Sequence, residues 1–169
     1  MFPFRDESCA FGDNLMLDNQ QNPEFSHIDS SGRARMVDVG HKEVQRRFAS
    51  ASCRVQCEPA TLAALRSVSM PKGDVLTVAK IAGIQAAKRT DSLIPLCHQI
   101  PLSVVNVDIT LNDGFVEILC GVVTDAKTGV EMEALVGASV AALTVYDMCK
   151  AADKTMVVSD LRVVEKTKQ

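Results

Sequence analysis

The sequence predicts an α+β fold in which an antiparallel sheet carries helices packed on one face, with one extra short helix. Three observations carry this: a stretch of strict alternation near residue 50, a hairpin signal at Asn112-Asp113-Gly114, and two long apolar segments with helical character separating the strands.

Residues 1–24 mix Asp, Asn, Gln and scattered aromatics without period, and read as a flexible extension; the folded domain is expected over residues 25–169. From Arg47 the chain alternates. Ala49, Ala51, Cys53, Val55 and Cys57 fall on one side, and Ser50, Ser52, Arg54 and Gln56 on the other, a period of two that marks a half-buried strand ending at Glu58-Pro59. Pro59 to Ser69 is a short helical segment with proline near its start. Asp74 is a good N-cap for a longer helix to about Thr90, in which Val75, Val78, Ala79, Ala82 and Ala86 recur at helical spacing. Leu102–Leu111 and Phe115–Thr124 are rich in Val, Ile and Leu and pair as a hairpin around Asn112-Asp113-Gly114. A second long helix follows Lys127-Thr128-Gly129, carries Glu131 and Glu133 in its first turn where the dipole favours acids, and runs to about Ala152. Met156–Val164 forms the last strand. The order strand, helix pair, strand, strand, helix, strand is the split β-α-β arrangement of ferredoxin-like folds.

Composition narrows the function classes. In 169 residues, 47% apolar and 23% charged, the chain has ordinary globular balance, and no run approaches the ~18 consecutive apolar residues of a membrane span. The N-terminal residues lack the layout of a secretory signal or an Arg-rich transit peptide, so the chain reads as intracellular. Six cysteines without secretory context are expected as reduced, mostly buried thiols, and their spacing completes no tetrahedral metal set. A net charge of −3 argues against a nucleic-acid partner, while leaving room for lysines that converge on a small anion.

Three stretches carry chemistry-bearing residues. Lys72 sits in the tight loop Pro71-Lys72-Gly73-Asp74 against a helix N-terminus, a setting that favours phosphate. Ile94-Pro95-Leu96-Cys97-His98 places a thiol beside an imidazole; His98 suits a general acid or base or a polar substrate contact, and Cys97 a wall residue. Asp147 and Lys150, three apart, are neighbours on one helix face.

The strings MVDV from Met36, KGDVLTVAKIAGIQAAKRT from Lys72, LIPLCH from Leu93, TGVEMEAL from Thr128 and SVAALTVYDMCK from Ser139 closely resemble the cyclic pyranopterin monophosphate synthase (MoaC) family of molybdenum-cofactor biosynthesis. The resemblance covers residues 25–167. It implies a pyrophosphate-releasing lyase that rearranges a 3′,8-cyclised dihydro-GTP, a small polyanion, into a pyranopterin with a cyclic phosphate. It implies Asp147, Lys150 and Lys72 as catalytic residues. Leu96, Cys97, His98, Met132 and Glu133 are implied as substrate contacts, and Glu131, Arg47 and Lys166 as further charged residues of the pocket. No tightly bound cofactor or protein-held metal is implied, and a divalent cation with the triphosphate is left open. A homohexamer, a trimer of dimers with active sites shared between subunits, is expected, in the cytoplasm, or in the mitochondrial matrix for a form cut from a fused eukaryotic precursor.

Two departures from the family pattern stand out. The family usually continues past Lys166 into a glycine-rich loop where this sequence reads Thr167-Lys168-Gln169, and its Cys-His-Pro is here Cys97-His98-Gln99. A catalytically weak phosphate- or nucleotide-binding module on the same fold is the alternative the first departure suggests. A single-strand RNA module would need exposed sheet aromatics, for which Phe48 alone is available on the central strand.

Overall fold

The computed structural model describes residues 27–29 and 31–169; the extension expected over residues 1–24 lies outside them. Eight elements follow in order: β1 (Gln45–Gln56), α1 (Pro59–Arg66), α2 (Val75–Ala87), α3 (Thr90–Leu93), β2 (Val104–Leu111), β3 (Phe115–Ala126), α4 (Glu131–Cys149) and β4 (Val157–Lys168). The sheet runs β2-β3-β1-β4 with every pairing antiparallel, which is the ferredoxin-like order. Both long helices lie on one face, α4 across β1, β3 and β4, and α2 beside it over β2.

The alternation that announced β1 is realised on its helix-facing side, while Ser50 on the other side is buried as well. Ala49, Ala51, Cys53, Val55 and Cys57 are all buried against the helices, facing Ala138, Ala141, Ala142 and Val145 in the same core. The hairpin closes as expected: Gly114 takes a positive φ of 85° and the Asn112 amide donates to the Phe115 carbonyl at 3.0 Å. Small residues let α2 and α4 approach. A Cβ at Gly83 would come within 2.8 Å of the Gly137 carbonyl, and one at Gly137 would press on the Cys120 sulfur. This close crossing fixes how far α4 can slide, and therefore where its two ends lie.

Several boundaries differ from expectation, each for a local reason. The long helix stops at Ala87 rather than Thr90, because the buried Thr90 hydroxyl donates to the Ala87 carbonyl and the chain restarts as the single turn α3, a second short helix beside α1. Val78 is exposed; Gly83 takes the buried place beside Val75 and Ala79, since only a residue without a side chain fits there. β4 continues past Val164 to Lys168, following β1 by way of register shifts at Ser50/Ala51 and Ser52/Arg54. α4 is long and apolar enough by length and composition to cross a membrane, yet it is the core helix of this domain, with its apolar face on the sheet. Cys53, Cys57, Cys97, Cys120 and Cys149 are free thiols, and all but Cys97 are buried; Cys9 lies outside the described residues.

A candidate active site in two parts

The C-terminal end of α4 gathers three charges. Asp147, on its last turn, accepts from Lys150 at 2.7 Å through one carboxylate oxygen and from Lys72 at 3.3 Å through the other. Lys72 also donates to the Asp147 carbonyl at 3.0 Å, satisfying one of the carbonyls that a helix end leaves open, where the dipole favours a cation. Its reach comes from the preceding turn: the Gly73 amide donates to Met70 O at 2.9 Å with Gly73 at a φ of 86°, which turns the chain sharply.

At the start of α2 Asp74 caps the helix itself, its carboxylate accepting from the Thr77 amide at 3.1 Å. The lysine is directed across to α4 instead. Hydrogen bonds from Lys150 and then Lys72 hold the Asp147 carboxyl below its ordinary range, while Asp147 in turn raises Lys150. The cluster therefore sets the Asp147 carboxylate between the Lys150 and Lys72 side chains, each about half exposed and open to a ligand.

A cavity of about 280 Å³ opens at the opposite end of α4, and Leu96, Cys97, His98, Met132, Glu133 and Glu131 are among its walls. The Pro95 turn, closed by the Cys97 amide on Ile94 O at 3.0 Å, brings the Leu96–His98 segment over the first turn of α4. His98 Nε2 lies 2.7 Å from the Val37 carbonyl, so it carries the proton that is donated there. Nδ1 is then the nitrogen left for a ligand. Glu133 is 4% exposed, and burial, then the charges of Glu131 and Asp91, push its carboxyl up to about 6. Burial and the Glu133 and Asp91 charges raise the Cys97 thiol, which keeps it protonated and fits a wall rather than a nucleophile.

A second cleft of about 360 Å³ shares Gly129 and Glu131 with the first and continues over Arg47, Phe48, Lys166, Thr167 and Lys168. Lys166 pairs with Glu131 at 3.5 Å. Arg47 is oriented by its own bonds, Nε to Ala126 O at 3.2 Å and an amino group to Gln45 Oε1 at 3.0 Å. β1–β4 pairing sets Arg47 beside Lys168 and Ala49 beside Lys166, which gathers the cations on one sheet end.

The sequence-predicted residues thus fall into two groups within one chain. Neither cleft includes Lys72, Asp147 or Lys150. At roughly 1.5 Å per residue, Asp147 lies about 24 Å along α4 from Glu131. Sequence reasoning missed His27, Val37, Val39, Lys42 and Thr128 as cavity walls. The alternation in Met36-Val37-Asp38-Val39, with the two valines half-buried and their neighbours exposed, was the available signal.

Comparison with known proteins bears on what this arrangement does. The family model described as "MoaC family" matches residues 36–169. A protein named "Cyclic pyranopterin monophosphate synthase" from Peptoclostridium acidaminophilum is 50% identical over 144 residues, 85% of this chain and 92% of that protein. One of the same name from Streptomyces avermitilis is 56% identical over 143 residues, 85% of this chain and 84% of its own length. A "Molybdenum cofactor biosynthesis bifunctional protein" from Chlorobaculum tepidum is 54% identical over 144 residues, which is 85% of this chain and 46% of that longer protein.

Proposed function

The chain belongs to the MoaC family, and from that premise we propose how its two-part site performs the family reaction: conversion of 3′,8-cyclo-7,8-dihydroguanosine 5′-triphosphate to cyclic pyranopterin monophosphate with release of pyrophosphate. The observation that supports this reading best is the Lys72–Asp147–Lys150 cluster, in which a loop lysine reaches a helix carboxylate distant in sequence and leaves three reactive groups in solvent reach.

Asp147 and Lys150 serve as the acid-base pair and Lys72 as the second essential cation. In the free chain the two ammoniums are engaged by Asp147, which keeps that carboxylate a weak base. Phosphate oxygens arriving beside Lys72 and Lys150 compete for the same N–H donors, and the carboxylate becomes more basic as it is released. The cavity at the other end of α4 takes the purine-derived part. Glu133 and the free Nδ1 of His98 offer acceptors to ring N–H groups, and Met132, Leu96 and Cys97 supply apolar walls. Arg47 and Lys166 serve the phosphates from the second cleft.

Because the cluster and the cavity of one chain are separated by the length of α4, the working site joins the cluster of one chain to the cavity of another. A homohexamer built as a trimer of dimers suits this arrangement. No resident cofactor is called for, and a divalent cation accompanying the triphosphate would be carried by the substrate's own phosphates. A cytoplasmic address fits a stand-alone chain, a mitochondrial one a processed eukaryotic form.

The test is a single-turnover assay of the purified chain with the cyclised GTP derivative, following pyrophosphate and pterin product. Stoichiometric formation of both is expected. Tight binding of the triphosphate with no product at all would sink the synthase reading and favour the binding module.

A further inference from the structure

Asp153, in the loop that follows α4, is a buried charge that neither part of the site uses. It is only 3% exposed. Burial acts to raise its carboxyl, but bonds from the Glu58 amide, the Thr155 amide and hydroxyl and the Thr61 hydroxyl outweigh burial and hold it below its ordinary range. One oxygen accepts from the Glu58 N–H at 2.8 Å, and the other from the Thr155 N–H and hydroxyl, each at 2.9 Å. A carboxylate taken out of water is tolerated where its bonds are made, as they are here.

Those bonds join two elements. Glu58 is the N-cap of α1, and its own side chain makes no capping bond. Asp153 supplies the acceptor from outside the helix, at the end where the dipole favours a negative charge. Asp153 is also tied to α4, because its amide and that of Ala152 both donate to the Cys149 carbonyl, at 3.0 and 2.8 Å. One side chain thus clamps the start of α1 to the last turn of α4, the turn that carries Asp147 and leads into Lys150.

From α1 the chain reaches Lys72 with little slack. It leaves the helix through Val68 in the left-handed region, at a φ of 52°, with the Ser69 amide donating to Ala64 O at 3.1 Å. Met70 then buries its side chain in the same core as Leu62 and Leu65 of α1, and the Gly73 turn on the Met70 carbonyl presents Lys72. The bond from Lys72 to Asp147 closes a ring that runs through the end of α4, Asp153, α1 and residues 67–73.

We propose that Asp153 is a positioning residue for the reaction: by clamping α1 to the end of α4 it sets the distance between the Lys72 ammonium and the Asp147–Lys150 pair. The proposal rests on the synthase reading for the chemistry it serves. Removing the clamp should damage one end of α4 alone, because Glu58, Thr61 and Thr155 are not among the walls of the cavity at the other end.

Steady-state kinetics of Asp153→Ala and Asp153→Asn tests it, with Ile118→Val as a control that loosens the buried sheet core away from the cluster. Asp153→Ala is expected to lower kcat per folded molecule about ten- to a hundredfold, the scale of a misplacement of about 1 Å, with KM within about twofold. Asp153→Asn keeps one acceptor oxygen and should fall between Asp153→Ala and the wild type; it carries the test if Asp153→Ala does not fold. The second readout is the Asp147 carboxyl, titrated by carbon NMR. The charged groups bonded to it are Lys150 on its own helix and Lys72 from the loop, so if Lys72 draws away the carboxyl should titrate higher than in the wild type, and Ile118→Val should leave it unmoved. Wild-type kcat in the Asp153 variants would overturn the proposal. So would a kcat that falls only in proportion to the folded fraction, with the Asp147 titration unmoved as in Ile118→Val. A raised Asp147 titration in Asp153→Asn, in a chain whose parent shows no turnover, would leave the clamp standing and remove the synthase reading.

Discussion

The two ends of α4 solve opposite electrostatic problems. At the N-terminal end a carboxyl, Glu133, is taken out of water beside another acid and is pushed up to about 6. At the C-terminal end a carboxylate, Asp147, stands in solvent between two ammoniums and is held down. The first arrangement needs a cavity, because a carboxyl shifted by burial loses its shift when water returns. The second needs none, since the carboxylate is held down by direct bonds from two ammoniums until a ligand displaces them. The cavity and the adjoining cleft of a single chain therefore lie apart from the Lys72–Asp147–Lys150 cluster, and one long helix holds them apart.

The largest effect expected from this contrast is on turnover. Asp147→Asn, or Lys72→Ala, should lower kcat by about a hundredfold to ten-thousandfold, the range for loss of a positioned acid-base group, while leaving the cavity and its affinity for the purine-derived part intact. His98→Ala should weaken substrate binding at the other end. If the working site joins two chains, the decisive measurement is co-assembly of Asp147→Asn with His98→Ala, at a substrate concentration where neither variant alone turns over. Mixed oligomers would rebuild some sites from the intact cluster of one variant and the intact cavity of the other, and activity should return. No recovery in demonstrably mixed oligomers would mean that one chain supplies both halves, and the separation along α4 would have to be closed by a rearrangement of the chain.

A smaller effect probes the rod between the ends. Gly137→Ala places a methyl group against the Cys120 sulfur and close to the Gly83 carbonyl and Ala87, with no open space to receive it. Overpacking of this kind costs about 1–3 kcal/mol, and equilibrium unfolding should show the loss. Because α4 can relieve the clash only by moving off the sheet or along α2, both ends should suffer together. Loss of turnover with substrate affinity untouched, at unchanged stability, would contradict the picture of α4 as a rigid spacer.

The fold was readable from residues whose burial follows period: Ala49 to Cys57 declared β1, and Asn112-Asp113-Gly114 declared the β2–β3 hairpin with no tertiary information. What local pattern could not show were places where long-range packing prevails, such as the exposure of Val78, the break at Thr90 and the extension of β4 along β1. The site divides in the same way. Asp147 and Lys150 are one turn apart on a helix and could be paired from spacing; Lys72 joins them only because α2 and α4 cross so closely. Likewise Lys42 is an unremarkable charge in the sequence, and joins the cavity wall with His98 and Glu133 only in the fold.

The smallest expected effect is also the most specific to the N-terminal end. Since the folded-state pKa of Glu133 is raised from 4.5 to about 6, chiefly by burial, the fold prefers its protonated form. Its contribution to stability is present in full below about pH 4.5 and is lost as pH rises through about 6, because above that the buried group must carry its charge. Glu133→Gln keeps the shape and removes the charge at every pH. The variant should therefore melt above the wild type near pH 8, and the gap should close between about pH 6 and pH 4.5. Wild-type stability alone would not show this, because Asp147 works in the opposite sense: its lowered pKa adds stability that fades as pH falls below the ordinary carboxylate range. The difference between variant and wild type cancels that contribution and isolates one end of the helix. A gap that stays constant from pH 4 to pH 8 would mean that Glu133 is not desolvated in the assembled protein, and that water, or a group from a neighbouring chain, reaches it there.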